Sequence, residues 1–391
     1  DGGTRPHPCY IPENEFRKLR TMIRMYRRVA GVGLALTMLV AGCGHSSSTS
    51  QGPATSSTPV PSVATSSTRA ASATSQAARD LPDPHTLRGL TEVPELPDPK
   101  PVEGSSAQKL PVTVTDVEGN KVTIKSTSRI LALDLYGTLS RTLIGLGLGD
   151  KIVGRTVSST EKQLHDRPVV TENGHVLNVE AVAGLKPSVI IADRSVGPKE
   201  ALDQLRKSGI PVVLVDPHRS VGSTPQLIRT IADAVGKPDA GEALVKRTQE
   251  QIDQAKKQIA AWKPAKPMRV AFLYVRGNAG VFFILGSENG ASELIQGVGA
   301  DDVASDKGIT TLVPANAESL VSINPDAIFV MRDGLASTGG MKGLLARAGV
   351  ANTTAGRKQR VISIPDGISL SFGPQTGEVL TAVAKALYGV K

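Results

Sequence analysis

An internal repeat constrains the fold of this chain more than any other feature of its sequence. Residues 178–192 and 316–330 carry asparagine, glutamate and proline at identical spacings, and each proline leads into an apolar strand. In each copy a further helix and strand follow, with the strands at 211–215 and 360–364. Alternating strands and helices are typical of a parallel sheet with helices on its faces. The repeat therefore predicts two α/β lobes of similar build that face a cleft.

A long helix is predicted between the two lobes. Uninterrupted helix-forming residues run from Asp239 to Trp262, which at 1.5 Å per residue gives a helix of roughly 36 Å. We expect a rigid connection rather than a flexible hinge. The predicted fold is thus α/β, with two Rossmann-like lobes at 109–238 and 264–391 joined by a single linking helix at 239–263.

The first 42 residues have the pattern of an upstream region followed by a signal peptide. Three arginines within 24–28 precede an apolar run over 29–40, and two small residues then precede Cys43. The run is shorter than the ~20 apolar residues of a membrane-spanning helix. The ending resembles a bacterial lipobox, in which the cysteine is diacylated, so Cys43 is the predicted lipid anchor. An ordinary secretory signal with an incidental cysteine is the alternative.

Residues 43–108 are dominated by serine, threonine, alanine and proline. Such a composition cannot bury enough apolar surface to offset the entropy lost on folding. The sequence therefore predicts a disordered tether between the lipidated cysteine and the folded body.

The composition also excludes several classes of function. The formal charge of +9 is diffuse, and no lysine and arginine run is interleaved with aromatic residues, so we expect no nucleic-acid partner. The only cysteines are Cys9 and Cys43, which leaves the folded body without a disulfide framework or a cysteine zinc site. No serine-histidine-aspartate elbow, phosphate loop or metal-binding cluster has the spacing of a known motif. We therefore expect no enzyme and no catalytic cofactor.

The strand predicted over 270–276 carries the first candidate ligand-binding residues. Open α/β sheets bind their ligands at the carboxyl ends of strands, where Tyr274 and Arg276 lie. Residues two apart on a strand share a face. A neighbouring guanidinium lowers the pKa of a phenol, and a phenolate is a hard anionic ligand for ferric iron. The alternative is that Tyr274 only ends a core strand and that Arg276 is solvated.

Three histidines of the first lobe are further candidates for binding residues. The candidates are His165, His175 and His218. His175 comes directly before the first copy of the repeat, in a loop at a strand-to-helix junction, and His218 is its main rival. Tyr136 also follows a predicted strand and is the alternative to Tyr274.

With these features in hand, residues 109–391 resemble the substrate-binding lipoproteins that serve ABC importers of iron chelates, cobalamin and haem. The resemblance rests on the opening hairpin at 115–124 and on the paired Asn-x-Glu…Pro motifs. Within this cluster the chain is most similar to the haem-binding proteins of Gram-positive haem-uptake systems. The fold implied is that of the class III periplasmic binding proteins, with the ligand between the lobes.

The resemblance implies a transported ligand, its iron ligands and its partners. Ferric haem b would be held by His175 and Tyr274 as axial ligands, with Arg276 bonding to the phenolate oxygen. The partners implied are an ABC permease with its ATPase, and the location is the outer face of the cell membrane, through the lipid anchor. Host or surface haemoproteins are further possible partners.

The same resemblance implies acidic residues on the outer faces of both lobes that dock on the permease. Glu200 and Glu318 are the candidates. The alternative is that glutamates such as Glu180 and Glu318 only begin helices, where the macrodipole favours a negative charge.

Two rival functions of this fold stay open. A ferric-siderophore-binding protein would place cations around an anionic chelate, and Arg194, Arg219 and Arg332 lie at predicted strand ends. A surface protein that binds a host haemoprotein is the other rival.

Overall fold

The computed structural model describes residues 81–103, 108–172, 174–277 and 280–391. The predicted signal peptide, Cys43 and the first part of the predicted tether lie outside these residues. Across the described ranges, no helix combines the length and the apolar character needed to cross a bilayer.

The N-terminal lobe is built on a four-stranded parallel sheet. The strands in this half of the chain are β1 (Leu90–Glu92), β2 (Val112–Thr115), β3 (Lys121–Ile124), β4 (Ile130–Leu133), β5 (Ile152–Gly154), β6 (Thr171–Glu172), β7 (Val176–Leu177), β8 (Val189–Ala192) and β9 (Val212–Leu214). The helices are α1 (Thr138–Gly145), α2 (Val179–Gly184), α3 (Lys199–Lys207) and α4 (Thr224–Ala234). The sheet order is β5-β4-β8-β9, and β2 pairs with β3 as the predicted hairpin.

Both faces of this sheet are buried. Every residue of β4, β8 and β9 is buried, and successive side chains of β4 enter two different cores: Ile130 lies in one and Leu131 in the other. Parallel strands that are covered by helices on both faces have continuous apolar sequences for this reason.

The long helix α5 (Pro238–Trp262) joins the lobes. Near its start, Leu244 lies in the core of the N-terminal lobe. Further along, it packs closely on the last helix of the chain, since a Cβ added at Gly377 would stand 2.5 Å from the carbonyl carbon of Gln251. The helix is thus fixed by packing on both sides, as expected of a rigid connection.

The C-terminal lobe is built on a mixed sheet of seven strands. Its strands are β10 (Arg269–Arg276), β11 (Val281–Ile284), β12 (Asp301–Asp302), β13 (Val313–Pro314), β14 (Ala327–Met331) and β15 (Val361–Ile364), together with β1. Its helices are α6 (Ala291–Gly297), α7 (Ala317–Ile323), α8 (Arg332–Ser337), α9 (Gly340–Leu345), α10 (Thr354–Lys358), α11 (Asp366–Ser369) and α12 (Thr376–Tyr388). The order is β1-β15-β14-β10-β11-β13, with β12 paired to the start of β10. Strands β1, β15, β14 and β10 are parallel, whereas β11 is antiparallel to β10.

The internal repeat has a local structural cause in both lobes. Asn178 and Asn316 cap the N-termini of α2 and α7 through their side chains. The residues before the repeated prolines, Lys186 and Asn324, both have positive φ, at 45° and 35°, where the chain turns from helix to strand. The repeat therefore marks the same helix start and the same turn twice. The predicted two-lobed α/β fold with a single linking helix is confirmed.

The predicted disordered tether extends too far toward the folded body. A disordered segment up to residue 108 is wrong for residues 81–103, which we call the arm. Strand β1 adds a parallel edge strand to β15, and Val93 is fully buried beyond it. The apolar residues between the prolines of the arm cover an edge that would otherwise be open.

The arm runs from one lobe to the other. On the C-terminal lobe, Arg332 donates to Glu95 at 2.7 Å and also to the carbonyl of Val93. On the N-terminal lobe, the backbone amides of Lys162 and Gln163 donate to Asp98 at 2.8 and 2.9 Å. The arm therefore attaches to both lobes.

We predict that a chain beginning at residue 109 is less stable than one beginning at residue 81. Loss of the arm uncovers β15 and the apolar surface beneath Val93, so the melting temperature should fall by roughly 5 °C or more. Thermal unfolding followed by circular dichroism measures the difference. Equal melting temperatures for the two chains would contradict the structural role of the arm.

Candidate functional site

Tyr274 and Arg276 stand together at the carboxyl end of β10. Both are buried, with exposed fractions of 8% and 6%, and the guanidinium carbon of Arg276 lies 5.1 Å from the centre of the Tyr274 ring. Their neighbours Leu273 and Val275 point into the core of the lobe, so the pair occupies the opposite face of the strand. A cation at this distance from an aromatic ring is attracted by it. The alternative of a solvated Arg276 does not fit this burial.

Arg276 is held by three elements of the C-terminal lobe. Its Nη2 donates to Asp366 Oδ1 at 2.5 Å and to the sulfur of Met331 at 3.4 Å. Helix α8 approaches so closely that a Cβ at Gly334 would lie 2.3 Å from Nη1 of Arg276. Asp366 also accepts from the backbone amide of Asp333 at 2.8 Å, and burial raises the pKa of Asp366 while Arg276 opposes that rise. The guanidinium is thus fixed in place.

His175 lies in the turn of the β6–β7 hairpin, which docks against the segment that follows β8. The backbone amide of Gly197 donates to the carbonyl of His175 at 2.9 Å, and Leu177 donates back to Gly197 at 2.6 Å. His175 is 6% exposed. The two rival histidines, His165 and His218, are both exposed. The hairpin therefore holds His175 at the carboxyl edge of the N-terminal sheet.

Tyr136 has an environment that disfavours the phenolate. Arg219 lies 5.6 Å from its ring centre, but that guanidinium is bonded to the buried carboxylate of Asp193 and lies 3.7 Å from that of Asp134. Burial, and then the charge of Asp193, raise the pKa of Tyr136 to about 12. This phenol is harder to ionise than an ordinary tyrosine, which weighs against Tyr136 as an iron ligand.

The three arginines that kept the siderophore alternative open are all engaged within the protein. Arg194 is paired with Glu118 and Asp203, Arg219 with Asp193, and Arg332 with Glu95. The positive charge of each of these three arginines is already balanced by a carboxylate of the protein, which weighs against a site for an anionic chelate.

The candidate docking residues are exposed on separate lobes. Glu200 and Glu318 both stand in the first turn of a helix, in α3 and α7. This position suits docking and also the alternative of a carboxylate that stabilises the helix start.

The lobes contact each other next to Asp366. Arg141 of α1 donates through Nε to the carbonyl of Gly367 at 3.3 Å and through Nη1 to Gln375 at 2.8 Å. Nε of Arg141 also lies 3.5 Å from Glu161, whose pKa is raised by burial against the effect of Arg141. The segment that carries Asp366 therefore belongs to the lobe interface as well as to the candidate site.

A separate cavity of about 770 Å³ lies between the arm, α5 and α12. Thr91 and Lys385 are among its lining residues, which include no histidine, tyrosine or cysteine. Within the part of the chain that the structure describes, no group of three or more histidine, cysteine, aspartate or glutamate residues is placed to hold a metal ion.

Sequence similarity identifies the family of this two-lobed fold. The sequence model of the periplasmic binding proteins matches residues 135–367. The chain belongs to this family. Among curated relatives, it is 27% identical over 280 residues to YvrC of Bacillus subtilis (strain 168), an uncharacterised ABC transporter substrate-binding lipoprotein, covering 71% of this chain and 86% of the relative. It is also 24% identical to a cobalamin-binding protein of Halobacterium salinarum, over 75% of this chain and 78% of that one. Family membership thus makes the protein a substrate-binding component of a transport system.

Solved structures of the family include similar haem-binding proteins. The crystal structure of the haem-binding protein HmuT is 49% identical, with a TM-score of 0.77 over 79% of this chain and all of that one. The haem-binding protein RhuT from Roseiflexus sp. RS-1 is 32% identical, with a TM-score of 0.63 over 68% of this chain and 99% of that one. Three further HmuT structures carry a single alanine in place of a histidine, a tyrosine or an arginine. The spacing of those three positions equals that of His175, Tyr274 and Arg276.

Asp366 is the residue of the candidate site that the sequence analysis missed. It follows a strand that was predicted, at 360–364, and so stands at a carboxyl end where crevice residues are expected. That position was the available signal, but the pairing of Asp366 with Arg276 depends on the strand order, in which β14 lies between β15 and β10.

We predict that Asp134→Asn stabilises the protein more at pH 8 than at pH 4.5. Burial, and then Asp193, raise the pKa of Asp134 from 3.8 to about 7, so the native state loses stability as pH rises between these values. Asparagine keeps an acceptor for the amide of Thr138, which donates at 2.9 Å, and removes the charge. The gain in melting temperature should be larger at the higher pH by roughly 3 °C.

Thermal melts of the wild type and the variant at both pH values measure this difference. Asp166→Asn is the control, because Asp166 is fully exposed. A gain that is the same at both pH values would contradict the raised pKa of Asp134.

Proposed function

We propose that this protein is an extracytoplasmic haem-binding protein that captures ferric haem between its lobes and delivers it to an ABC importer. Within this proposal, His175 and Tyr274 are the axial ligands and Arg276 supports the phenolate. Haem is the transported ligand, and no catalytic cofactor takes part.

One observation carries the proposal. A haem-binding protein that is 49% identical over its whole length has been altered at a histidine, a tyrosine and an arginine whose spacing is that of His175, Tyr274 and Arg276. In this chain the tyrosine and the arginine are already adjacent, and the guanidinium is fixed by Asp366. The candidate residues of this chain thus match those three positions in residue type and in spacing.

The chemistry of these groups suits ferric haem. A phenolate is an anionic oxygen ligand that balances the charge of ferric iron, and a neutral imidazole supplies the second ligand. Arg276 favours the phenolate over the phenol by its positive charge. Acid protonates both ligands and thereby favours release of the haem.

The remaining partners follow from the same proposal. A diacyl anchor on Cys43 would hold the protein at the outer face of the membrane, and Glu200 and Glu318 would contact the permease, which works with its ATPase. No nucleic acid, and no reaction catalysed by this protein, takes part in this function.

Two ligand classes compete with haem. The siderophore alternative is weakened because Arg194, Arg219 and Arg332 are all ion-paired. Cobalamin is the second alternative, because two curated relatives, 24% and 23% identical, are named as cobalamin-binding or vitamin B12-binding proteins.

Titration of the purified protein with hemin tests the proposal. We expect a one-to-one complex with a phenolate-to-iron charge-transfer band. Tyr274→Ala should abolish the band, and His175→Ala should weaken binding. Arg276→Ala should weaken binding by about 10–100-fold, as expected for a hydrogen bond to a charged group.

Two matched variants serve as controls. Tyr136→Phe removes the phenol of the N-terminal lobe, and Arg269→Ala removes an arginine from the other end of β10. Both should bind hemin like the wild type. Saturable binding that none of the three site substitutions changes would refute the ligand assignment. Binding of cyanocobalamin, a ferric siderophore or haemoglobin in place of free hemin would refute the choice of ligand.

A further inference from the structure

The side chain of Asp366 uses both of its oxygens within the C-terminal lobe. Oδ1 accepts from Nη2 of Arg276 at 2.5 Å, and Oδ2 accepts from the backbone amide of Asp333 at 2.8 Å. Asp366 is largely buried, with a side chain that is 16% exposed. Its carboxylate is therefore held in one orientation and presents one oxygen to Arg276.

Among the hydrogen bonds described for Arg276, the one to Asp366 is the shortest and joins two charged groups. The sulfur of Met331 is a weak acceptor, at 3.4 Å, and the carbonyl of Val275 lies at 3.5 Å, the outer limit of a hydrogen bond. Hydrogen bonds between two charged groups are the strong ones, and they fix geometry. Holding a long arginine side chain in one rotamer costs conformational entropy, and such a bond offsets that cost.

We propose that Asp366 is a positioning residue that fixes Arg276 against Tyr274 and so raises the affinity for haem without touching it. This inference rests on the proposed function. It assigns a role to a residue that is remote in sequence from the three ligand-binding residues.

Two opposite effects of Asp366 can be separated by substitution. Asp366 orients the guanidinium, which helps the phenolate, but its negative charge also offsets the positive charge of Arg276. Asp366→Asn keeps an oxygen acceptor and removes the charge, whereas Asp366→Ala removes both. If orientation dominates, the alanine variant binds hemin more weakly than the asparagine variant. If the charge dominates, both variants bind more tightly than the wild type.

We expect the dissociation constant for hemin to rise by about tenfold in Asp366→Ala and by less in Asp366→Asn. The charge-transfer band should move to longer wavelength, because a phenolate that loses a fixed donor becomes a better electron donor to iron. Asp333→Asn is the matched control: it removes an exposed carboxylate from the same neighbourhood without changing the bond to Arg276. This control should leave both the affinity and the band unchanged.

A double variant distinguishes positioning from a general structural role. If Asp366 acts through Arg276, the substitution Asp366→Asn should have no further effect on hemin affinity in a protein that already carries Arg276→Ala. Additive losses in the double variant would overturn the proposal, as would unchanged or tighter binding in the single variants. Any of these outcomes leaves the proposed function intact, because the wild type still binds hemin. Failure of the wild type to bind hemin would overturn the function itself and this inference with it.

Discussion

The central strands of both sheets are buried on both faces, and this constraint decides where binding chemistry can stand. A side chain on β4, β8 or β14 meets helices on either side, so these strands are almost entirely apolar. Charged side chains are found instead at the carboxyl ends of the strands, where the helices no longer cover both faces. Asp134, Asp193, Arg276 and Asp366 all lie at or just beyond a carboxyl end. The chemistry of the protein is therefore concentrated along one edge of each sheet.

Each lobe places a tyrosine, an arginine and an aspartate at that edge. In the N-terminal lobe, Arg219 is shared by two buried carboxylates, and the pKa of Tyr136 is raised to about 12. In the C-terminal lobe, Arg276 is paired with Asp366 and lies 5.1 Å from the ring centre of Tyr274. The same three residue types thus favour a neutral phenol on one lobe and, in our proposal, a phenolate on the other.

The sequence was informative where structure is local and uninformative where it depends on distant partners. The repeat predicted both lobes because helix caps and helix-to-strand turns are encoded within a few residues. The strand of Tyr274 was predicted to within one residue of its observed start at Arg269. The arm was missed because a proline-rich segment has the same composition whether it is free or paired to an edge strand. Asp366 was missed because its partner is 90 residues away.

The arm also changes how the two lobes can move. The chain passes between them along α5 and again along the arm, whose residues bond to Arg332 on one lobe and to the amides of Lys162 and Gln163 on the other. Two lobes joined at two separate places have fewer ways to rotate against each other than two lobes joined at one place. Rotation of one lobe against the other is therefore more restricted than a single linking helix would make it.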